Sequence, residues 1–295
     1  MLRKLVDQIF NKHPILRDVC LRWLPFASES FNRDAWIAYL NNNPTCVLDI
    51  VQMADGEGQK YIRRLVARKR RVRFICTLDE AVRYCLVMRT RIAYRFPQEG
   101  TMLRSVFTYK AGCSFLPNMP DLTNRVVIDG GAASGDSSVV LAELKPQKVL
   151  AFEPSPRQRS EINEVLRQNG FIDDIEVMPY ALSDRKKLVR IADQHGEVYD
   201  ANAVAIDEIA KNLDVGLIKL DIEGAEFPTL KGGVETIRRC HPILLICVYH
   251  NPEDLFEMPK WLIGQFPEYR FVFRDTEPGN KGAGVHLMMI AWSLQ

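Results

Sequence analysis

The sequence predicts a doubly wound α/β fold on a seven-stranded sheet, with an antiparallel last strand and a mainly helical segment ahead of it. Three observations predict it. Apolar runs of strand length alternate with helix-length stretches from about residue 125 onward, a glycine-rich turn follows the first run, and the last two runs are joined by a loop too short for a usual crossover helix.

The apolar runs fall at residues 126–128, 149–152, 175–178, 217–220, 243–248, 271–273 and 286–292. Between the first six lie 137–144, 157–169, 205–212, 229–239 and 253–266, each long enough for a crossover helix and together implying a parallel sheet covered on both faces. Residues 275–285 hold three glycines and a proline, so the final strand is expected to enter antiparallel.

Ahead of these elements, apolar residues recur with helical spacing at Leu2, Leu5 and Ile9, at Trp36, Ile37 and Leu40, and at Leu78, Val82, Cys85 and Leu86. Two prolines in residues 112–120 mark a boundary loop. The expected division is therefore a helical segment over 1–120, serving substrate or partner binding, and an α/β domain over 121–295. The two parts differ in charge: residues 1–124 carry 20 Lys and Arg against 11 Asp and Glu, and the remainder 19 against 26.

Composition excludes several classes. With 47% hydrophobic and 26% charged residues the chain has an ordinary globular balance, and no repeat or low-complexity tract interrupts it. There is no uninterrupted apolar run long enough to span a bilayer, and charges break up the N-terminal 26 residues, unlike a signal peptide; a soluble, cytoplasmic protein is expected. Seven cysteines without a C-x-x-C pair suggest buried thiols rather than disulfides or zinc.

The chemistry concentrates at the strand ends. Residues 126–136 read as a strand, then Asp129-Gly130-Gly131-Ala132-Ala133-Ser134-Gly135, then a helix, and ligands of doubly wound sheets sit beyond such strand ends. Asp129 could take a cationic or hydroxyl-bearing ligand group. The second run ends in Glu153-Pro154, 24 residues after Asp129, where a carboxylate can accept both hydroxyls of a ribose. Glycine turn plus ribose acid points to an adenosine-type cofactor, leaving nicotinamide dinucleotide and S-adenosylmethionine as the choices.

Further along come Ala181-Leu182-Ser183-Asp184, placed to border an adenine, and the block Ile218-Lys219-Leu220-Asp221-Ile222-Glu223-Gly224-Ala225-Glu226. The runs IDGGAASGD, FEP, ALSD, IKLDIEGAEFPTLKGG and YHNPEDL closely resemble the FkbM family of methyltransferases, over about residues 126–255. That resemblance implies S-adenosylmethionine as cofactor, a class I methyltransferase sheet, and methylation of a hydroxyl on a sugar, glycan or secondary metabolite. It also implies that Asp129, Gly130, Gly131, Ala132 and Ser134 line the methionine part of the cofactor, Glu153 and Pro154 its ribose, and Ala181 and Leu182 its adenine. Asp221 would stand beside the transferable methyl, with Lys219, Glu223, Glu226 and His250 toward the acceptor. The loop departs from the family where many members carry Asn before the later glycine.

Plainer readings stand beside these. Lys219 and Asp221 share a strand face and could form an ion pair closing the sheet. Glu223 and Glu226 could serve a helix dipole, and His250 a local hydrogen bond. Asp221, Glu223 and Glu226 suit a hard cation, although no metal is part of the main reading. The basic run from Arg63 to Arg73 is either a solvated helix face or a surface for an anionic acceptor; nucleic acid ranks lower, since no aromatic residues interleave it. An oxidoreductase with a degenerate fingerprint and a non-catalytic module on the same fold are the competing functions.

Overall fold

The computed structural model describes residues 33–69, 78–97, 101–192, 198–276 and 286–294. The stretch containing Leu2, Leu5 and Ile9 and the basic residues 70–73 lie outside them. The N-terminal part is helical as expected: α1 (Arg33–Asn42), α2 (Cys46–Met53), α3 (Gly56–Lys69), α4 (Leu78–Arg89) and α5 (Thr101–Tyr109).

The central sheet has seven strands, β1 (Val126–Gly130), β2 (Lys148–Phe152), β3 (Ile175–Met178), β7 (Val215–Leu220), β8 (Ile243–Cys247), β9 (Tyr269–Asp275) and β10 (Leu287–Ser293), in the order β3-β2-β1-β7-β8-β10-β9. The first five pair in parallel. The last strand, β10, inserts between β8 and β9 and runs antiparallel to both. Every apolar run therefore became a strand of this sheet. The inner strands β1 and β7 are buried along their whole length, which is why they read as continuous apolar runs rather than alternations.

Three corrections concern the crossovers. A second sheet, β4 (Ala181–Ser183), β5 (Lys187–Ala192) and β6 (Val198–Ala205), lies between β3 and β7 in the chain. The stretch 205–212 contains only the single turn α8 (Ile206–Ile209), because Ala205 still belongs to β6. The stretches 229–239 and 253–266 are each two helices, α9 (Glu226–Lys231) and α10 (Val234–Cys240), then α11 (Pro252–Phe256) and α12 (Met258–Gln265). Gly232–Gly233 and the Glu257–Met258 junction break them. The other two crossovers are α6 (Asp136–Ala142) and α7 (Pro156–Asn169). Ser155 caps α7 by accepting from the Gln158 amide, Pro156 opens it, and Gly170 closes it in the left-handed region.

Two apolar layers sandwich the sheet. Ile128, Ile218, Leu244 and Ile246 face one layer, which also holds Trp36, Ile50, Tyr61 and Ile62 from α1 to α3. Their neighbours Val127, Leu217 and Leu245 face the other, with Val106 and Phe107 of α5. Two further expectations needed revision. Helix α4 buries Tyr84 and Val87, whereas Val82 and Leu86 of the expected apolar stripe stay 59% and 55% exposed. The expected boundary loop begins as a tight 3-10 turn over Lys110–Phe115, where Gly112 adopts φ +105 against Met288 and Leu245.

Candidate active site

The chain order reverses at β1: β2 and β3 lie on one side and β7 and β8 on the other. Loops leaving the carboxyl ends of β1 and β7 therefore diverge there and open a crevice, the usual ligand position in such sheets. The residues singled out in the sequence converge on this crevice.

The glycines at its base serve the protein first. Gly131 has φ +76, and a Cβ there would stand 1.9 Å from the Asp221 carbonyl oxygen. A Cβ on Gly130 would meet Leu220 at 2.8 Å and Leu182 at 2.9 Å. The pair thus lets the ends of β1 and β7 come together, with Leu182 lying over the turn. Ala132 is buried below it, and Ser134 is exposed at its outer end.

Asp129 is completely buried. Its Oδ2 accepts from Ser137 Oγ at 2.7 Å and Ser138 Oγ at 2.6 Å, and its Oδ1 pairs with Lys219 Nζ at 2.9 Å. The expected Lys219–Asp221 ion pair is therefore replaced by Lys219–Asp129 across the adjacent strand. Lys219 also donates to the Gly131 carbonyl at 3.2 Å. Burial opposes its charge, but Asp129 and Asp221 outweigh that and raise its pKa. Both groups thus lock the glycine turn to β7.

Glu153 stands at the end of β2. Its Oε2 accepts from the Ala133 amide at 3.1 Å and its Oε1 from the Ser155 amide at 2.9 Å. Burial raises its carboxyl pKa against those two donors. Each oxygen keeps lone-pair capacity beyond its single amide, the arrangement that two vicinal hydroxyls require. Pro154 and Ala181 are half-buried alongside. A glycine turn with an anchored carboxylate on the neighbouring strand fits an adenosine-bearing cofactor.

Opposite lies a carboxylate–imidazole cluster. Glu226, fully buried, accepts from the amides of Ile222 and Gly224, both at 2.8 Å, and pairs with His250 Nδ1 at 2.8 Å. It thereby holds a turn in which Glu223 adopts φ +57 and Gly224 φ +103. His250 Nε2 faces Asp221 at 3.7 Å and Glu223 at 3.4 Å. Burial opposes a charge on the imidazole, but Glu226, Asp221 and Glu223 push its pKa up to about 9. Asp221 is opposed by burial too, yet His250, Lys219 and His286 keep its carboxyl below the usual range. Ligand atoms of Asp221, Glu226 and His250 lie within 4.8 Å of one another, as a metal site would need. Both Glu226 oxygens already accept main-chain amides, and His250 lies at ion-pair distance from all three carboxylates.

Two participants escaped the sequence reading. Tyr249 donates its hydroxyl to Asp221 at 3.1 Å, and its ring lies between those of His250 and His286, with centroids 4.1 and 4.6 Å away. Tyr249 stood in the YHNPEDL run and could have been found there. His286 stands just ahead of the distant last strand, and no local spacing announced it.

Residues 129–273 match the family model described as the methyltransferase FkbM domain. The chain carries an FkbM methyltransferase domain. The oxidoreductase alternative gives way to it. The crystal structure of methyltransferase FkbM from Methylobacillus flagellatus KT superposes with a TM-score of 0.62 at 20% identity, covering 86% of this chain and 60% of that one. The chain thus spans 60% of that relative's length, and at this identity the likeness is one of fold. An rRNA methylase from Streptococcus thermophilus superposes with a TM-score of 0.44 at 15% identity, over 70% of this chain and 100% of that one. An O-methyltransferase from Bacillus cereus in complex with SAH superposes with a TM-score of 0.40 at 13% identity, over 67% of this chain and 92% of that one. No curated protein matches the chain. Among the described residues no helix is long and apolar enough to cross a membrane.

Proposed function

We propose that the protein transfers the methyl group of S-adenosylmethionine to a hydroxyl of a sugar, glycan or secondary-metabolite acceptor. The observation that carries this reading is the opposition, across one crevice, of an amide-anchored ribose acid, Glu153, and a carboxylate, Asp221, that meets a buried imidazolium. When bound, the sulfonium cofactor supplies an already activated methyl group, so the protein is left with positioning and with taking one proton from the acceptor.

Glu153 holds the ribose, Leu182 and Ala181 border the adenine, and the turn from Gly130 to Ser134 takes the methionine end. Asp129 and Lys219 act by fixing that turn. Of the two candidate bases, His250 carries its proton at neutral pH and has none to gain. Asp221 is 36% exposed, ionised, and aligned by the Tyr249 hydroxyl, and it accepts the acceptor's proton as the new bond forms. Glu223, 75% exposed beside it, completes an acidic mouth that favours neutral hydroxyls over anionic groups at the transfer point. An anionic part of an acceptor would belong farther out, toward the basic helical segment.

The test is incubation of the full chain with tritiated S-adenosylmethionine and a panel of methyl glucoside, rhamnose, inositol and a flavonol, beside an anionic nucleotide and a primary amine. Alkali-stable label in at least one member, lost in Asp221→Asn, is expected. Label only in an anionic nucleotide or an amine acceptor would overturn the hydroxyl assignment.

A further inference from the structure

One hydrogen bond enters the site from outside the FkbM match. Trp36, on α1, is fully buried, and its indole Nε1–H donates to the main-chain carbonyl of His250 at 3.0 Å. Its ring meets Phe256 of α11 edge-on at 5.8 Å, and Tyr39, one turn later, stacks on the same Phe256 at 5.3 Å. Tyr39 also donates to Glu257. Helix α1 is therefore seated by aromatic packing, and its buried indole contact lands on the peptide of the site histidine.

That peptide is a demanding place. His250 lies between the end of β8 and Asn251, whose amide donates to the Asp254 carboxylate at 3.0 Å and whose side chain donates to the Gly224 carbonyl at 2.8 Å. The loop thus ties the α11 start to the Glu223–Gly224 turn, and the His250 ring must reach Glu226 on one side and Asp221 on the other. A buried carbonyl is costly to leave without a donor, so a donor aimed at it selects one peptide orientation. Any large apolar side chain would fill the space beside Phe256. Only a ring with an N–H fills it and holds this carbonyl.

We propose that Trp36 is a positioning residue of the methyl-transfer site, fixing the His250 peptide so that the helical N-terminal segment forms part of the acceptor end. The proposal rests on the methyltransferase reading. It assigns the segment a task in turnover and none in cofactor affinity, since Glu153 and the glycine turn are built without α1.

The test uses the full chain with Trp36→Phe, which keeps an aromatic ring and removes the donor. Three quantities are read: S-adenosylhomocysteine affinity by calorimetry, turnover on the most active member of the polyol panel, and the His250 imidazole titration by NMR. Expected are an affinity within about twofold of wild type, a kcat lower by on the order of tenfold, and a His250 midpoint lower by about half a unit or more. Combined with His250→Gln, Trp36→Phe should add no further loss, since it acts through that residue. An unchanged His250 midpoint with unchanged kcat, or additive losses in the double variant, would overturn the proposal. Failure of the wild type to bind S-adenosylhomocysteine would instead remove the methyltransferase reading, and the imidazole titration would still decide whether Trp36 orients His250. Should Trp36→Phe not fold, benzothienylalanine at position 36 replaces the N–H by sulfur in the same shape, with the same readouts.

Discussion

Glu226 Oε1 lies 2.8 Å from His250 Nδ1, and both side chains are buried. The carboxylate accepts two main-chain amides besides, and its closeness to the ring favours a proton on the imidazole. The cluster is therefore a charged positioning device for Asp221 and Glu223, with the imidazole as its cation.

A pH dependence follows. The ordinary histidine value is near 6.5, and here it is raised to about 9. A raised folded value gives stabilisation that is complete below about pH 6.5 and is lost as the pH climbs through about 9. Unfolding free energy should fall by up to about 3 kcal/mol across that interval in the wild type, and His250→Gln should flatten the slope. Urea denaturation at half-unit pH steps measures it. Turnover should be flat from about pH 6 to 8, and a rate that rises through that range would mean that a neutral imidazole is the base.

The buried pair Asp129–Lys219 joins β1 to β7 at 2.9 Å. Lys219→Met leaves the Asp129 carboxylate with two serine hydroxyls and no countercharge, so a loss of about 3–5 kcal/mol is expected. Adding Asp129→Asn should recover part of it, because the uncompensated charge is gone. Denaturation midpoints of the two variants check this; equal losses in single and double variants would mean that the pair acts only through packing.

Most of the sheet was legible because β1, β2, β7 and β8 are covered on both faces, and such strands are written as unbroken apolar runs. The three-stranded sheet was not. β6 is half exposed and includes Asp200 and Asn202, while β5 carries Lys187 and Arg190 with Leu188 67% exposed, so no apolar run marks either strand. Glu153 and Asp221 were legible because each follows directly on an apolar strand. The partners of Lys219 and Tyr249 were not, because register between strands far apart in the chain decides them. Trp36 was read as part of an apolar helical stripe, and it is buried; its N–H contact lies 214 residues away.

Gly131→Ala tests the close approach of the strand ends. The substitution puts a Cβ 1.9 Å from the Asp221 carbonyl oxygen at φ +76. Backbone must move, so a loss of at least about 2 kcal/mol in stability is expected, with displacement of Asp221. Thermal unfolding together with turnover on the polyol panel checks both; a fully active, fully stable variant would show that the turn is looser than described.

Glu153→Ala removes the anchored acid. Loss of two hydrogen bonds to a charged group should weaken S-adenosylhomocysteine binding by about 1.5–3 kcal/mol, roughly 10- to 150-fold. Glu153→Asp should recover little, since the shorter side chain cannot keep both the Ala133 and Ser155 amides and reach the ligand. Isothermal titration of the three proteins measures it, and equal affinities would remove Glu153 from the cofactor site.

The central claim is that the crevice at β1 and β7 holds S-adenosylmethionine, and calorimetric titration of the full chain with S-adenosylhomocysteine, beside NAD⁺ and NADH, tests it most directly. The account predicts saturable one-to-one binding of S-adenosylhomocysteine, abolished or strongly weakened by Glu153→Ala, and no measurable nicotinamide binding. Saturable binding of either nicotinamide with no heat from S-adenosylhomocysteine would contradict it.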